Sequence, residues 1–521
     1  MKIKRINIDF FQTKPLLAII IVISQIYFLI VDGATFWIDM TSYVTLGDAM
    51  SSPISLAAFY QDSGRWIYSH LQPGMPLVWA ILSYLPSYLR WPSIAIFQHT
   101  IAAFAIYYAF ATINTYWPSR THIILCAILC FFPFYEAMHN SFMTESIASS
   151  LTIFAFALWI KLVMEVRPSF GVHIGILSCI LIVGQFRSYF ALIIFLFAII
   201  GLVGRNHNQI LKKYILIYLS CFVLSITIFP MYRYIAINEF FFPSLGLNKL
   251  MSGLWMNLSP SKNAQEKIIQ SHAFEGLDLN KAIHQGLDYN EMIDLAFSWR
   301  RNSLSNSDIV KRGEKLGGLL INDGVIIYGK RFLMGLAGNG FILPYCFMPS
   351  SLMVYPGMTP KQMCNHLLNH YAYLSSLDAP NHDNLIKSFF IEDRLVGIPG
   401  WGKSQQKIVL MLKNYTNSVP VYFRDPFFLG HLPPDFWMVC FFLSIWLIYK
   451  KNQRIAYGFL VMFIINFIVL FSVPLGNIRY AYFIFPLSFL ADSIALAIYS
   501  DKALEKSKTL LHSLLKTIFL R

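Results

Sequence analysis

The sequence is poor in charge and lacks the motifs of the commonest soluble enzymes. Only 13% of its 521 residues are charged, against roughly 25% in a soluble domain, which excludes a disordered chain, a coiled coil and an ordinary cytosolic enzyme. It has no glycine-rich phosphate-binding loop and no Gly-x-Ser-x-Gly segment, which argues against an ATPase and a serine hydrolase. It also has no Cys-x-x-Cys pair, so a zinc ribbon and a thioredoxin-type site are excluded.

Long apolar runs are what the sequence has in abundance, and hydrophobic residues make up 56% of the chain. Ten runs, completed at their ends by Trp, Tyr and Ser, approach the roughly 20 residues that a membrane-crossing helix needs. The first run follows a basic segment but has no small-residue cleavage site after it, so we predict an anchor and not a signal peptide. The predicted spans are residues 15–31, 93–112, 123–135, 147–161, 174–186, 189–203, 214–230, 436–449, 456–473 and 480–499.

The distribution of Lys and Arg predicts how this all-α polytopic membrane protein, with about ten transmembrane helices, is oriented. If the amino terminus is cytoplasmic, the predicted cytoplasmic segments hold 18 of these residues and the short outer segments hold 4. Cytoplasmic segments carry the excess of Lys and Arg in membrane proteins, so both termini are predicted to be cytoplasmic. The net charge of +14 is then membrane-flanking charge whose partners are lipids, and no nucleic-acid partner is expected.

One apolar run, residues 73–89, is not counted as a span. Pro73, Pro76 and Pro86 interrupt it, and a proline inside a helix removes a backbone hydrogen bond and clashes with the preceding turn. Counting this run as a span would also move the later basic clusters to the outer side, against the expected charge bias. We therefore predict a helix that lies at, or dips into, the outer membrane interface.

The predicted topology divides the chain into parts with different roles. Any chemistry built from the first outer loop takes place outside the cytoplasm, where ATP and sugar nucleotides are absent. The predicted parts are an N-terminal transmembrane module 1–230 with its first outer loop 33–92, a mainly helical extracytoplasmic domain 231–434, C-terminal spans in 435–500 and a cytoplasmic amphipathic tail 501–521.

The seven cysteines fall into two groups. Five lie in predicted spans, where a lone thiol behaves as a small hydrophobic residue. Cys346 and Cys364 lie in the predicted extracytoplasmic domain, where an oxidising environment makes them candidates for a disulfide. The sequence leaves their pairing open.

The first outer loop carries acidic residues close to the end of the first span. Asp39 and Asp48 are followed by Arg65 and His70. A carboxylate held at the membrane surface beside aromatic residues suits a general base that meets a lipid-linked substrate. The alternative is that these are ordinary acids of a solvated loop.

Glu145 lies at the predicted outer end of the fourth span. It is a candidate catalytic carboxylate on the same side of the membrane as the first outer loop. The alternative is a plain helix start, in which Thr144 or Ser141 is the N-cap and the helix dipole favours the glutamate.

Two arginines adjoin apolar runs at the same predicted side. Arg187 separates two such runs, and an arginine inside a bilayer is costly, so it normally faces a polar cavity and a partner. We predict that it clamps a phosphate or a carboxylate. Arg479 begins the last span, and its alternative role is an interface anchor beside tyrosines.

The first half of this arrangement resembles the GT-C superfamily of membrane glycosyltransferases, which includes protein O-mannosyltransferases and the lipid A aminoarabinose transferase. In that superfamily the first outer loop carries an acid followed by a tyrosine, and Asp39 and Tyr43 match this pair. A histidine- or lysine-proline stretch then opens a short apolar helix, and the segment from His70 to Trp79 looks similar.

The remaining candidates fit the same resemblance. Glu145 occupies the place of the second-loop acid, and Arg187 falls where many members have an Arg-Pro hinge. Arg479 and Tyr480 resemble the basic start of a late span. The similarity covers roughly residues 10–205 and, loosely, 435–500.

The resemblance implies a glycosyltransferase that moves a sugar from a polyprenyl-phosphate donor to an extracytoplasmic glycan, lipid or protein. Asp39 would be the catalytic base, although Asp48 remains an alternative to it, and Glu145 would be a second catalytic carboxylate that orients Arg187 or the acceptor. Arg187, Arg479 and Arg65 would bind the donor phosphate, and Tyr43, His70 and Tyr480 would line the donor and acceptor pocket. No cofactor is implied beyond the lipid-linked donor, and a role for a divalent metal stays open.

Two other functions compete with this interpretation. An O-antigen polymerase or ligase uses the same type of donor but usually lacks the Asp-rich first loop. A lipid-linked glycan flippase is expected to show polar or broken helices at mid-membrane and a repeat, and the sequence has no visible repeat. The expected location is a bacterial inner membrane, with the active site facing the periplasm.

Overall fold

The chain is mostly helical in the part that a computed structural model describes, which is residues 8–31, 38–50, 56–58, 72–131, 135, 139, 142–203, 208–238, 240, 390–391, 394–395, 434–472 and 486–499. Its helices are α1 (Ile8–Val31), α2 (Ile38–Ala49), α3 (Gly74–Leu82), α4 (Ser87–Tyr116), α5 (Thr121–Cys130), α6 (Thr144–Met164), α7 (Phe170–Phe186), α8 (Ser188–Val203), α9 (Asn208–Ile237), α10 (Pro434–Tyr449), α11 (Gln453–Ser472) and α12 (Pro486–Tyr499). Two-residue strands, β1 (Phe390–Ile391) and β2 (Arg394–Leu395), pair antiparallel.

A helix lies at each of the ten apolar runs named above, and three of these helices are long and apolar enough to cross a membrane. The three segments are Pro92–Tyr116 in α4, Thr144–Met164 in α6 and Lys213–Ala236 in α9. The other seven are shorter apolar helices within the described residues. The architecture therefore agrees with the prediction of an α-helical membrane protein.

Two of the three prolines of the uncounted run act as boundaries between helices, and the third, Pro76, lies in the first turn of α3. Pro73 is the N-cap of α3 and Pro86 is the N-cap of α4, positions at which the missing N–H group breaks no intrahelical bond. The resulting α3 has nine residues, about 13 Å of helix, which is too short to cross a bilayer.

Helix α6 is the centre of the bundle. It packs against α4, α7, α8 and α11, and 72% of its most apolar window is buried inside the protein. Apart from Glu145, its buried polar side chains are Ser and Thr, among them Ser146, Ser149 and Ser150, and α4 has buried alanines at 102, 105 and 109. Small residues let membrane helices approach closely, which accounts for the tight pair that α4 and α6 form.

Trp159 fills the space between α6 and its neighbours. Its side chain is fully buried, and Phe156 and Phe197 pack on it. A Cβ atom added at Gly201 of α8 would lie 2.8 Å from the indole nitrogen, and one added at Gly458 of α11 would overlap the ring. Two glycines thus make room for one large aromatic side chain.

The ninth helix differs from its predicted bounds. Helix α9 continues through Pro230 to Ile237, seven residues past the predicted end of the span and into what was assigned to the extracytoplasmic domain. A proline in a membrane helix costs one backbone hydrogen bond but is tolerated when neighbouring helices support it, and α9 packs on both α7 and α8.

Gly458→Ala should destabilise the protein, because the added methyl group overlaps the buried ring of Trp159. Overpacking of this kind costs about 1–3 kcal/mol, so the apparent midpoint of thermal unfolding in detergent should fall. Gly171→Ala is the matched control, because its added Cβ meets only the Ser169 hydroxyl at 3.8 Å. Equal midpoints for the two variants would contradict this packing.

Candidate active site

The candidate site lies at the end of the bundle where α6 begins and α7 ends, which we call the site end. The backbone of Met143 is extended and forms the N-cap of α6 without a side-chain hydrogen bond. Arg187 is likewise extended, forms the C-cap of α7 and is the only residue between α7 and α8. The start of α6 and the end of α7 thereby meet, with a glutamate at one and an arginine at the other.

Thr144, Glu145 and Arg187 form a closed ring of hydrogen bonds. The guanidinium Nη2 of Arg187 lies 2.6 Å from Glu145 Oε1 and forms an ion pair with it. Arg187 Nε donates to Thr144 Oγ1 at 2.7 Å. The Thr144 hydroxyl in turn donates to Glu145 Oε2 at 2.9 Å. Both carboxylate oxygens are thus engaged within the ring.

The pairing of the two groups compensates for their burial. Glu145 is 1% exposed and Arg187 is 21% exposed, and a charge buried this far is tolerated only when it is paired and hydrogen-bonded. Glu145 stands in the first turn of α6 and Arg187 at the C-cap of α7. The dipole of α6 stabilises an anion at the first position and that of α7 stabilises a cation at the second, whereas the dipole of α8, which starts directly after Arg187, opposes the cation.

The guanidinium has more donors than the ring uses. Arginine carries five N–H groups in a planar fork, and the ring takes up only Nε–H and one hydrogen of Nη2. The planar fork of a guanidinium matches the two oxygens of a phosphate or carboxylate.

Asp48 lies in the same cluster, on α2. The indole Nε1 of Trp79 donates to Asp48 Oδ1 at 2.9 Å, while the aspartate retains an exposed surface. Desolvation by the surrounding protein raises the pKa of the Asp48 carboxyl above its usual range, although the Trp79 hydrogen bond and the Arg90 charge act to lower that pKa. The site end thus has an accessible carboxylate whose basicity exceeds that of an ordinary aspartate.

Aromatic side chains connect this carboxylate to the ring. Phe142 packs edge-on against Tyr43, with ring centroids 6.0 Å apart. It also packs at a tilt against Trp79, with ring centroids 5.9 Å apart. All three side chains are almost fully buried. Because Phe142 precedes Thr144 by two residues, the Asp48 cluster and the ring belong to one contiguous piece of structure.

A buried polar network beside the site was not predicted from the sequence. His139 Nδ1 lies 2.8 Å from Ser146 Oγ, and His99 Nδ1 lies 2.7 Å from Gln25 Oε1. The two imidazole rings pack edge-on at 5.6 Å. Burial, together with the neighbouring His99, lowers the pKa of His139 well below its usual value. The available signal was the polar pair Gln98-His99 inside an otherwise apolar predicted span.

The structure brings some of the predicted site residues together. Glu145 and Arg187 are in direct contact, and Tyr43 packs on Phe142. Asp39 stands in the first turn of α2. The alternative in which Thr144 caps α6 is wrong, because Met143 holds the cap position and the Thr144 hydroxyl bonds to Glu145 and Arg187.

Other predicted features lie outside the described residues. These include most of the extracytoplasmic domain 231–434 and the tail 501–521. No group of three His, Cys, Asp or Glu side chains with metal-binding geometry occurs in the part of the chain that is described. The predicted site and disulfide residues outside it are Arg65, His70, Cys346, Cys364, Arg479 and Tyr480.

Comparison of the chain with protein-family models, with characterised proteins and with solved structures finds no match in any of the three.

The ion pair predicts a strong energetic coupling between Glu145 and Arg187. Arg187→Met leaves a buried carboxylate without its counter-charge, so adding Glu145→Gln to this variant should recover stability. In a double-mutant cycle on unfolding in detergent, the coupling energy should be about 0.5–3 kcal/mol in favour of the pair.

The matched control for this cycle is Glu165→Gln. Glu165 accepts a hydrogen bond from the Tyr116 hydroxyl at 2.9 Å, at the opposite end of α6. The effect of Glu165→Gln on the free energy of unfolding should simply add to that of Arg187→Met. Independent, additive effects of Glu145→Gln and Arg187→Met would contradict the ion pair.

Proposed function

We propose that the protein is a membrane glycosyltransferase that takes its sugar from a polyprenyl-phosphate donor. The observation that carries this proposal is the closed ring of Thr144, Glu145 and Arg187. The ring fixes the orientation of a guanidinium, a group whose planar fork matches the oxygens of a phosphate. The two carboxylates of α2, Asp39 and Asp48, are the candidate bases. The resemblance of the motif order to the GT-C superfamily supports the same reaction class.

In the proposed reaction the acceptor hydroxyl oxygen attacks the anomeric carbon of the donor sugar. The bond between this carbon and the phosphate oxygen breaks, and its electron pair leaves with the polyprenyl phosphate. A carboxylate of α2 takes the hydroxyl proton. Arg187 pairs with the leaving phosphate. Stabilisation of the charge that develops in the transition state is the largest catalytic term in many enzymes.

Glu145 has a supporting role in this proposal. With both of its oxygens engaged by Arg187 and Thr144, it holds the guanidinium in one orientation. A preorganised donor needs no reorientation when the phosphate charge develops. Arg479 and Arg65 are proposed as further phosphate ligands, and His70 and Tyr480 as pocket residues.

The proposed setting is a bacterial inner membrane crossed by about ten helices, with both termini in the cytoplasm. The site end then faces the periplasm, where lipid-linked sugars are the available donors. This orientation is supported by the excess of Lys and Arg in the predicted cytoplasmic segments. The extracytoplasmic domain 231–434 is the proposed source of acceptor specificity, for a glycan, a lipid or a protein.

The proposed orientation is tested by labelling with a membrane-impermeant maleimide in intact spheroplasts. Tyr84 lies in the turn after α3 and is 88% exposed, whereas Val166 lies between α6 and α7 and is 93% exposed. In a cysteine-free background, Tyr84→Cys should be labelled and Val166→Cys should be labelled only after lysis. The reverse pattern would place the site end in the cytoplasm and remove the proposed donor.

The proposed reaction is tested by mass spectrometry with a panel of polyprenyl-phosphate sugars in nanodiscs. The wild-type protein should release polyprenyl phosphate and transfer the sugar. Arg187→Met should lose about 10²-fold or more of this turnover, because the leaving phosphate loses its guanidinium.

Arg167→Met is the matched control for this assay. Arg167 is exposed between α6 and α7, at the end of the bundle away from the ring. Its variant should retain wild-type turnover. Wild-type protein that turns over none of the donors, or an Arg187→Met variant as active as wild type, would refute the proposal.

A further inference from the structure

We infer that Asp48, and not Asp39, is the residue of α2 that accepts the proton from the acceptor hydroxyl. This inference rests on the proposed function. It gives Asp48 the role of catalytic base, which the order of sequence motifs assigned to Asp39. We further infer that Trp79 is the positioning residue for this base. The inference comes from helix geometry, the anchoring of the carboxylate and the packing of α3.

Helix geometry separates the two acids of α2. Asp39 and Asp48 are nine residues apart in one helix, Ile38–Ala49. At 3.6 residues per turn this is two and a half turns, so the two positions lie on opposite sides of α2 and about 13 Å apart along its axis. A single acceptor hydroxyl can therefore reach only one of the two positions.

Asp48 is the acid whose carboxylate is anchored to the cluster. Trp79 donates its indole N–H to Asp48 Oδ1, which fixes one oxygen and leaves Oδ2 outside this bond. Trp79 is itself 5% exposed and is fixed in turn, with the Arg90 guanidinium over its ring at 5.7 Å. Arg90 is held by bonds to the carbonyl oxygens of Ser83 and Leu85.

Two close backbone approaches connect Asp48 to the arginine. A Cβ atom added at Gly47 would lie 2.6 Å from the carbonyl oxygen of Pro76 in α3. A Cβ atom added at Gly74 would lie 2.7 Å from the carbonyl oxygen of Gln185, near the end of α7. Helix α3 therefore lies between Gly47, which precedes Asp48, and Gln185, which lies two residues before Arg187. The width of α3 sets the distance between these two parts of the chain.

The chemistry of Asp48 matches the proposed step. It has an exposed surface that an acceptor can reach, and desolvation raises its pKa, which makes its carboxylate a stronger base. The proton moves from the acceptor hydroxyl to Asp48 as the new bond to the anomeric carbon forms. The electron pair of the broken bond leaves with the phosphate, which Arg187 binds. Asp48 therefore acts on the attacking hydroxyl, and Arg187 acts on the leaving group of the same displacement.

The assignment is tested by comparing Asp48→Asn with Asp39→Asn in the nanodisc assay. Asp48→Asn should lose about 10²–10⁴-fold of kcat while binding polyprenyl phosphate as tightly as wild type. Asp39→Asn should retain at least tenfold more turnover than Asp48→Asn. If Asp39→Asn is the more damaged variant, or Asp48→Asn keeps its turnover, Asp48 is not the base.

The role of Trp79 is tested with the pH dependence of kcat/KM. Trp79→Phe removes the hydrogen bond that lowers the pKa of Asp48, so the acid limb of the profile should move to higher pH by about one unit. Phe142→Leu, in the same aromatic cluster, should leave that limb in place even if it lowers turnover. An unmoved acid limb in Trp79→Phe would overturn the positioning role.

These results separate the assignment from the proposed function. A wild-type protein that transfers no sugar from any donor overturns both. Normal transfer by wild type and loss in Arg187→Met, together with full activity in Asp48→Asn, overturns the assignment alone. Labelling of Asp48→Cys by a soluble maleimide in the cysteine-free background gives an activity-independent check, because a base that meets an acceptor must be reachable from water.

Discussion

A buried carboxylate beside a half-buried guanidinium is the interaction on which the site end depends. In an apolar bundle, Glu145 is 1% exposed, and Arg187 and Thr144 bond to its two oxygens. The ring forms because α6 starts and α7 stops at the same level, and the dipoles of these helices favour its charges. The ends of two helices thus create both the ion pair and the polar surface around it.

The short helix α3 gives this surface its shape. It fits between α2 and α7 because glycines stand at the two points of closest approach, Gly47 and Gly74. Its Trp79 holds Asp48 on one side, while its first residues touch the end of α7 on the other. This short helix therefore acts as a spacer between the Asp48 carboxylate and the guanidinium that pairs with Glu145.

Much of the helical framework could be predicted from the sequence, because each membrane helix needs a long apolar run. Charge bias and prolines also separated α3 from the spans. Pairings across the chain could not be predicted, since they depend on how helices rotate against one another. Asp48 and Trp79 are 31 residues apart and His99 and Gln25 are 74 apart, and no local pattern joins them. The cap of α6 was missed because a preference for Thr at an N-cap gives way when Arg187 binds its hydroxyl.

The account is tested most directly by an experimental structure of the protein with polyprenyl phosphate in a nanodisc. The phosphate should lie against the guanidinium of Arg187, with Glu145 still paired to it and Asp48 exposed at the same end of the bundle. A phosphate bound at the opposite end of α6, or an Arg187 that turns away from Glu145, would contradict the account.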